Sequence, residues 1–144
     1  MGDVSEIQQA KKWIYDKLSA NVDIAAAVGT NIFADTIPVS PRPGRYILYN
    51  LMAATDVDGL GTNRLITSAL FQVRQVNVGA PDTTARRVDK RIDDVLQVQV
   101  SQLSGDFYYS SRRESVVDRA EYDSANVRYH NLGGLFRIWI SRVP

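Results

Sequence analysis

The chain has 144 residues, 44% hydrophobic and 23% charged, a composition that fits one folded domain and excludes a disordered one. Its 17 basic and 16 acidic groups leave a formal net charge of +1. That balance lacks the positive excess on which dedicated nucleic-acid binding rests, and it leaves little long-range repulsion between copies. There is no cysteine, so disulfides, thiolate metal sites and a cysteine nucleophile are excluded.

The first predicted element is an amphipathic helix over roughly Asp3 to Leu18. Val4, Ile7, Ile14 and Leu18 follow helical spacing, and Ala10 fills the same stripe. Ser5 with Gln8, or Asp3 with Glu6, suits its N-terminal cap. The opening MGDVSE falls short of a myristoylation signal, because Ser5 stands one position early and Glu6 occupies the Ser/Thr position. No basic region followed by an apolar core opens the chain, and no apolar run reaches membrane-spanning length, so a cytoplasmic chain without membrane contact is expected.

"NVDIAAAVG" predicts a short second helix, with Asn21 at its start, Ile24 and Val28 inward and Gly29 as its stop. "NIFAD" reads as a short strand. Three prolines in "TIPVSPRPG" then impose an extended loop without ladder donors. "RYILYNLMAA" predicts a strand apolar on both sides, with Tyr46 and Leu48 on one and Ile47, Tyr49 and Leu51 on the other, hence a central one. "TDVDGLGTNR" reads as a loop. "LITSALFQVRQVNV" is the next strand, with Ala69, Phe71 and Val73 on one face.

"APDTTARRVDKRIDDVLQVQV" predicts a second long helix. Pro81 and Asp82 open it, and Ala85, Val88, Ile92, Val95 and Leu96 form its inward stripe, with Arg86 off it. The chain closes in a long hairpin, "GDFYYSSRRESVV" into "ANVRYHNLGGLFRIWI", with a polar connection around Arg119 to Ser124. Alternation puts one of Tyr108 and Tyr109 in the core and the other on the surface. In the last strand Phe136, Ile138 and Ile140 make the core face, opposite Leu135, Arg137 and Trp139. This order predicts an α+β fold over residues 1–144. It has one mixed, mainly antiparallel sheet of four to five strands, with two main helices on one face.

Residues of chemical type do not converge. Asp56-Val57-Asp58-Gly59 resembles the start of a calcium loop, but the later ligands and terminal glutamate are missing, so it reads as a plain turn. The "GLG" at 59–61 is too short for a dinucleotide fingerprint. Asp93 and Asp94 are adjacent on a helix, so they diverge and read as a solvated face. His130 has no second histidine for a metal and no partner set for acid–base work. On a strand beside Gly133 and Gly134 it reads as partly buried and structural, the glycines marking a bulge or a close neighbour. No enzyme activity, cofactor or metal is expected.

"NVDIAAAVGTNIFADTIP" followed by "PRPGRYILYN" resembles the front of the tail-completion, or tail-terminator, proteins of long-tailed phages. The helix "TTARRVDKRIDDVLQVQV" after a long strand and a late "YH-x-x-G-x-F-R-I" strand fit the same pattern, which spans about Trp13 to Ile140. The departure is at "RPGRY", where Gly44 and Arg45 separate Pro43 from Tyr46. The resemblance carries no catalytic residues. It implies a virion protein that forms a ring, usually of six copies, on the head-proximal end of the tail tube. There it would stop tube growth and meet the head connector or stopper protein. A compact chain of this length is about 37 Å across, so six touching copies leave a hole wide enough for duplex DNA to pass without specific binding. A head-tail connector or stopper is the nearest alternative. A nucleic-acid module using Arg112, Arg113, Tyr108 and Tyr109 is next, and a hydrolase is more distant.

The ring contacts are expected on three irregular segments: the proline loop Pro38 to Arg45, the loop Thr55 to Arg64 and the hairpin Arg112 to Ser124. The candidate interface residues are Arg42, Arg45, Asp56, Asp58, Arg64, Arg112, Arg113, Glu114, Arg119 and Glu121, whose mixed signs suit head-to-tail pairing between copies.

Overall fold

A computed structural model describes residues 5–38, 44–58, 64–79 and 88–143. The helices are α1 (Glu6–Ser19), α2 (Val22–Val28) and α3 (Asp89–Leu96). The strands are β1 (Ile32–Ala34), β2 (Arg45–Asp58), β3 (Arg64–Val78), β4 (Val98–Ser104), β5 (Phe107–Tyr122) and β6 (Arg128–Arg142). They form one sheet in the order β1-β2-β3-β6-β5-β4. Only β1–β2 is parallel, and every other neighbouring pair is antiparallel. The α+β reading holds, with six strands among the described residues where four or five were expected, and the short helix predicted in "NVDIAAAVG" is α2.

Local chemistry explains the helix ends. Ser5 Oγ accepts the Gln8 amide at the start of α1, and Asn21 Oδ1 accepts the Ile24 amide at the start of α2. Gly29 ends α2 at φ 62°, a conformation costly for other residues. α3 starts differently. Val88 offers no side-chain cap; its own amide is taken by Gln75 Oε1 from β3 at 2.9 Å.

All three helices pack on one face of the sheet. Ala10, Trp13, Ile14 and Leu18 of α1, Ile24 and Val28 of α2, and Val88, Ile92 and Leu96 beside and in α3 form one cluster with the sheet. The sheet supplies Ile47, Tyr49, Ala69, Phe71, Val73, Tyr109, Phe136, Ile138 and Ile140. Trp13 lies flat on Tyr109, with ring centroids 5.0 Å apart. Tyr109 is buried and Tyr108 is 37% exposed, as their alternation required. The opposite face of the sheet carries no helix among the described residues.

Four expectations need correction. The second long helix ends at Leu96, and "VQVSQLS" is strand β4, because its backbone pairs with β5. The expected start at Pro81 and Asp82, with Ala85 and Arg86, lies outside the described residues. Strand β2 is not central: β1 covers it only from Ile47 to Tyr49. The stretch Thr55 to Asp58, and Arg64 with it, is strand and not loop, because β2 and β3 stay paired out to Asp58 and Arg64. Asp56 and Asp58 are therefore strand residues, not a turn. Likewise Arg112 to Tyr122 is strand, and the β5–β6 connection shrinks to residues 123–127. There Asp123 Oδ1 accepts the amides of Ala125 and Val127, and Asn126 takes a positive φ.

Gly133 and Gly134 do mark close approaches. A Cβ on Gly133 would meet the Val73 carbonyl oxygen at 2.1 Å, and one on Gly134 would meet the Ser115 oxygen at 2.7 Å. Across from them, the ladder between β5 and β6 shifts register between Arg113 and Ser115, a bulge.

Candidate assembly interface

The structure scatters the candidate interface residues along the sheet. Arg45 opens β2, beside the end of β3 that pairs with the β5–β6 tip. Asp56, Asp58 and Arg64 lie at the opposite end, and Arg112, Arg113 and Glu114 lie midway along β5. Arg42 lies outside the described residues. No single patch collects them.

Most of those with described side chains find partners within the chain. Arg45 Nη1 donates to the Ala27 carbonyl near the end of α2 at 3.1 Å, which places a cation where the helix dipole favours one. Asp56 Oδ1 accepts the Thr67 hydroxyl at 2.9 Å. Arg113 Nε lies 3.6 Å from Asp93 Oδ1, and the Arg113 amide donates to Gln97 Oε1. Arg119 and Glu121 pair at 3.0 Å on one strand. Arg112 sits over the Trp139 ring, 5.3 Å from its centroid. These contacts fix the side chains within the chain, and Arg113 in particular is held against α3.

Glu114 stands at the β5 bulge, where it receives both Nε and Nη2 of Arg137, at 2.9 and 3.3 Å. That forked bond, helped by the charges of Arg137 and Arg112, holds its carboxyl below the ordinary value of 4.5. A depressed folded-state value gives stability that is complete above pH 4.5 and fades as pH falls through the folded value. Glu114→Gln is therefore expected to destabilise the chain at pH 7 and to lose that effect in acid. Urea unfolding of both proteins across pH 3 to 7 measures it (about five points suffice to define the trend).

His130 lies on β6, with Nε2 at 2.8 Å from Asp118 Oδ1 and Nδ1 at 3.4 Å from an Arg128 nitrogen. Its side chain is largely covered, and this carboxylate and guanidinium orient it. Burial pushes the hydroxyls of Tyr49 and Tyr109 up to about 12, so both stay neutral in the core. Tyr49 donates to the Lys11 carbonyl at 3.1 Å. Among the described residues no three metal-binding side chains cluster.

What the sequence reading missed is the rim of the sheet. Strand β4 is an outer strand with exposed apolar side chains: Val100 is 81% exposed and Leu103 58%. An open groove of about 500 Å³ runs beside it, lined by Lys17, Asn21, Asp94, Val95, Val98 and Val100. The alternation Val98, Val100 after Leu96 was the available signal, but the helical stripe before it masked the change of period.

No protein-family model matches the sequence, and neither does any curated protein. Among solved structures, the chain is similar to one from the "Virion of native gene transfer agent (GTA) particle", with a TM-score of 0.50 and 23% identity. The alignment covers 89% of this chain and 91% of that one, so the likeness extends over nearly the whole of both folds.

Proposed function

We propose that the protein is a structural component of a phage-like virion, and within it the ring that caps the head-proximal end of the tail tube. The observation that carries the reading is the near full-length fold likeness to a chain of a gene transfer agent virion. The order of the segments from Trp13 to Ile140, which resembles the tail-terminator family, supports the finer assignment. In this reading about six copies close a ring, stop the tube protein from adding further layers and present their outer side to the head connector. DNA passes through the lumen, where a nearly balanced charge avoids a strong hold on phosphates. No residue acts as a catalyst. A connector or stopper ring remains the second reading, since it shares the small fold and the closed assembly.

Electron microscopy of the purified protein, alone and with tail tubes, tests this. Rings seated on tube ends support termination, and tubes that continue to grow past bound protein reject it. His130→Gln, compared at equal folded concentration, is expected to assemble like the wild type. Loss of assembly with folding intact would reveal a role for the imidazole beyond positioning Asp118.

A further inference from the structure

We propose that copies of this chain join through their sheets, with β4 of one copy lying beside the distal half of β2 of the next. The inference rests on the ring reading above and names the surface that closes the ring.

Strand β4 ends the sheet, and its sequence VQVSQLS contains neither charge nor proline. An outer strand exposes a row of backbone donors and acceptors, which monomeric proteins guard with charges, prolines or bulges. Here the one device is a register shift against β5 between Val98 and Gln102. On the other side of the sheet β1 covers β2 only at Ile47 to Tyr49, so among the described residues no strand lies along the outer side of β2 from Leu51 to Asp58. Among the described residues, one molecule thus carries two unfinished sheet borders, β4 and the distal half of β2.

The ladder places these borders at the same height. Gln102 lies across from Tyr109, Tyr109 from Ile140, Ile140 from Thr67, and Thr67 from Asp56. Val98 connects in the same way, through Ser111, Ile138 and Ala69, to Ala54. The alternating antiparallel pairs also give β4 and β2 the same direction. Rotation about a ring axis keeps height and the direction of strands that run along the axis, and in that arrangement β2 of one copy meets β4 of its neighbour as a parallel pair. A two-fold dimer through β4 alone would leave both β2 borders open, whereas closure of the ring pairs β4 and the distal half of β2 in every copy and leaves only the short strand β1 at an edge.

Charge agrees with this pairing. Lys17 lines the groove on the helix side of β4, and Arg112 lines a second groove on its other side. Each cation rests over an indole, Lys17 on Trp13 and Arg112 on Trp139. The arriving β2 segment brings small residues and the Asp56 carboxylate, which accepts the Thr67 hydroxyl on the helix side of the sheet, the side that Lys17 lines. Its Val57 is 47% exposed and occupies the position after Asp56, as Leu103 follows Gln102.

The absence of cysteine makes the test clean. The double variant Val57→Cys/Leu103→Cys, mildly oxidised, is expected to give a covalent ladder on a non-reducing gel that ends at the ring size, while neither single variant gives a ladder. Val100→Pro lies within the shifted part of β4, outside the ladder with β5. It is expected to raise the concentration needed for half-assembly at least about tenfold, with the circular dichroism of the monomer unchanged. Wild-type rings with no ladder from the double variant and undiminished assembly of Val100→Pro would overturn the edge pairing and leave the ring reading standing. A cross-link to tube protein in place of the ladder would overturn the second copy as occupant. Failure of the wild-type chain to assemble at all, with or without tubes, removes the ring reading and this inference together.

Discussion

Gly133→Ala is expected to be the most damaging glycine-to-alanine change among the described residues. The added carbon would lie 2.1 Å from the Val73 carbonyl oxygen and 2.7 Å from the Arg74 Cα, both backbone atoms of β3. Side-chain rearrangement cannot relieve that overlap. The sheet has to part where β3 and β6 pair, and those are its two innermost strands. Ordinary overpacking costs about 1–3 kcal/mol and is relieved by rotamers. A clash with backbone exceeds that range, so a loss above about 3 kcal/mol is expected, a large part of the stability of a typical domain. Gly44→Ala is the control, because nothing among the described residues stands within 4 Å of its added carbon. Chemical denaturation compares them. A Gly133→Ala protein within about 1 kcal/mol of Gly44→Ala would mean that β3 and β6 do not pair in this register.

The close approach at Gly133 belongs to the part of the fold that was readable from residues alone. Asn21, Gly29 and the Gly133-Gly134 pair each demand a particular backbone, and the helix ends and strand neighbours stand where they demand them. The faces of β6 were also legible, since burial on one side imposes alternation. Two kinds of feature were not. Strand beyond the core, as at Asp56, Arg119 and Glu121, buries little, so its sequence is as polar as a loop and only cross-strand pairing reveals it. Strand β4 follows α3 with valines that fit a helical stripe as well as an alternating one. Its partner on β5 decides between them, and that contact is non-local. The partners of the candidate interface residues within the chain were hidden for a related reason. Sequence shows charges but not their partners, and the bonds Glu114–Arg137 and Arg113–Asp93 join residues far apart in the chain.

Truncating Ile92 to alanine is expected to cost about 2–5 kcal/mol, because its side chain is fully buried and the site has little room to collapse. The helix that carries it has eight residues, too short to stand without packing. Its start is tied to Gln75 of β3 through the Val88 amide, and its end to β5 by the bond from the Ser111 hydroxyl to the Leu96 carbonyl. With both ends held, the backbone cannot sink to fill the space left by Ile92. Leu96→Ala should fall in the same range, since Leu96 is equally buried and sits at the tied end. Arg91→Ala supplies the contrast on the same helix. Arg91 is exposed and reaches Asp23 at 3.0 Å and Asp94 at 3.4 Å. Surface pairs of that kind contribute little, so its loss should cost under about 1 kcal/mol. Urea unfolding of the three variants decides the orientation of α3, and equal losses from Arg91 and Ile92 would place the wrong side of the helix against the sheet. The outcome also bears on assembly. Asp93 and Gln97 hold Arg113 from this helix, and β4 follows directly after it, so loosening α3 frees the border through which copies are proposed to meet. Ile92→Ala should then weaken assembly more than its effect on the folded fraction accounts for, whereas Arg91→Ala should leave assembly in step with stability.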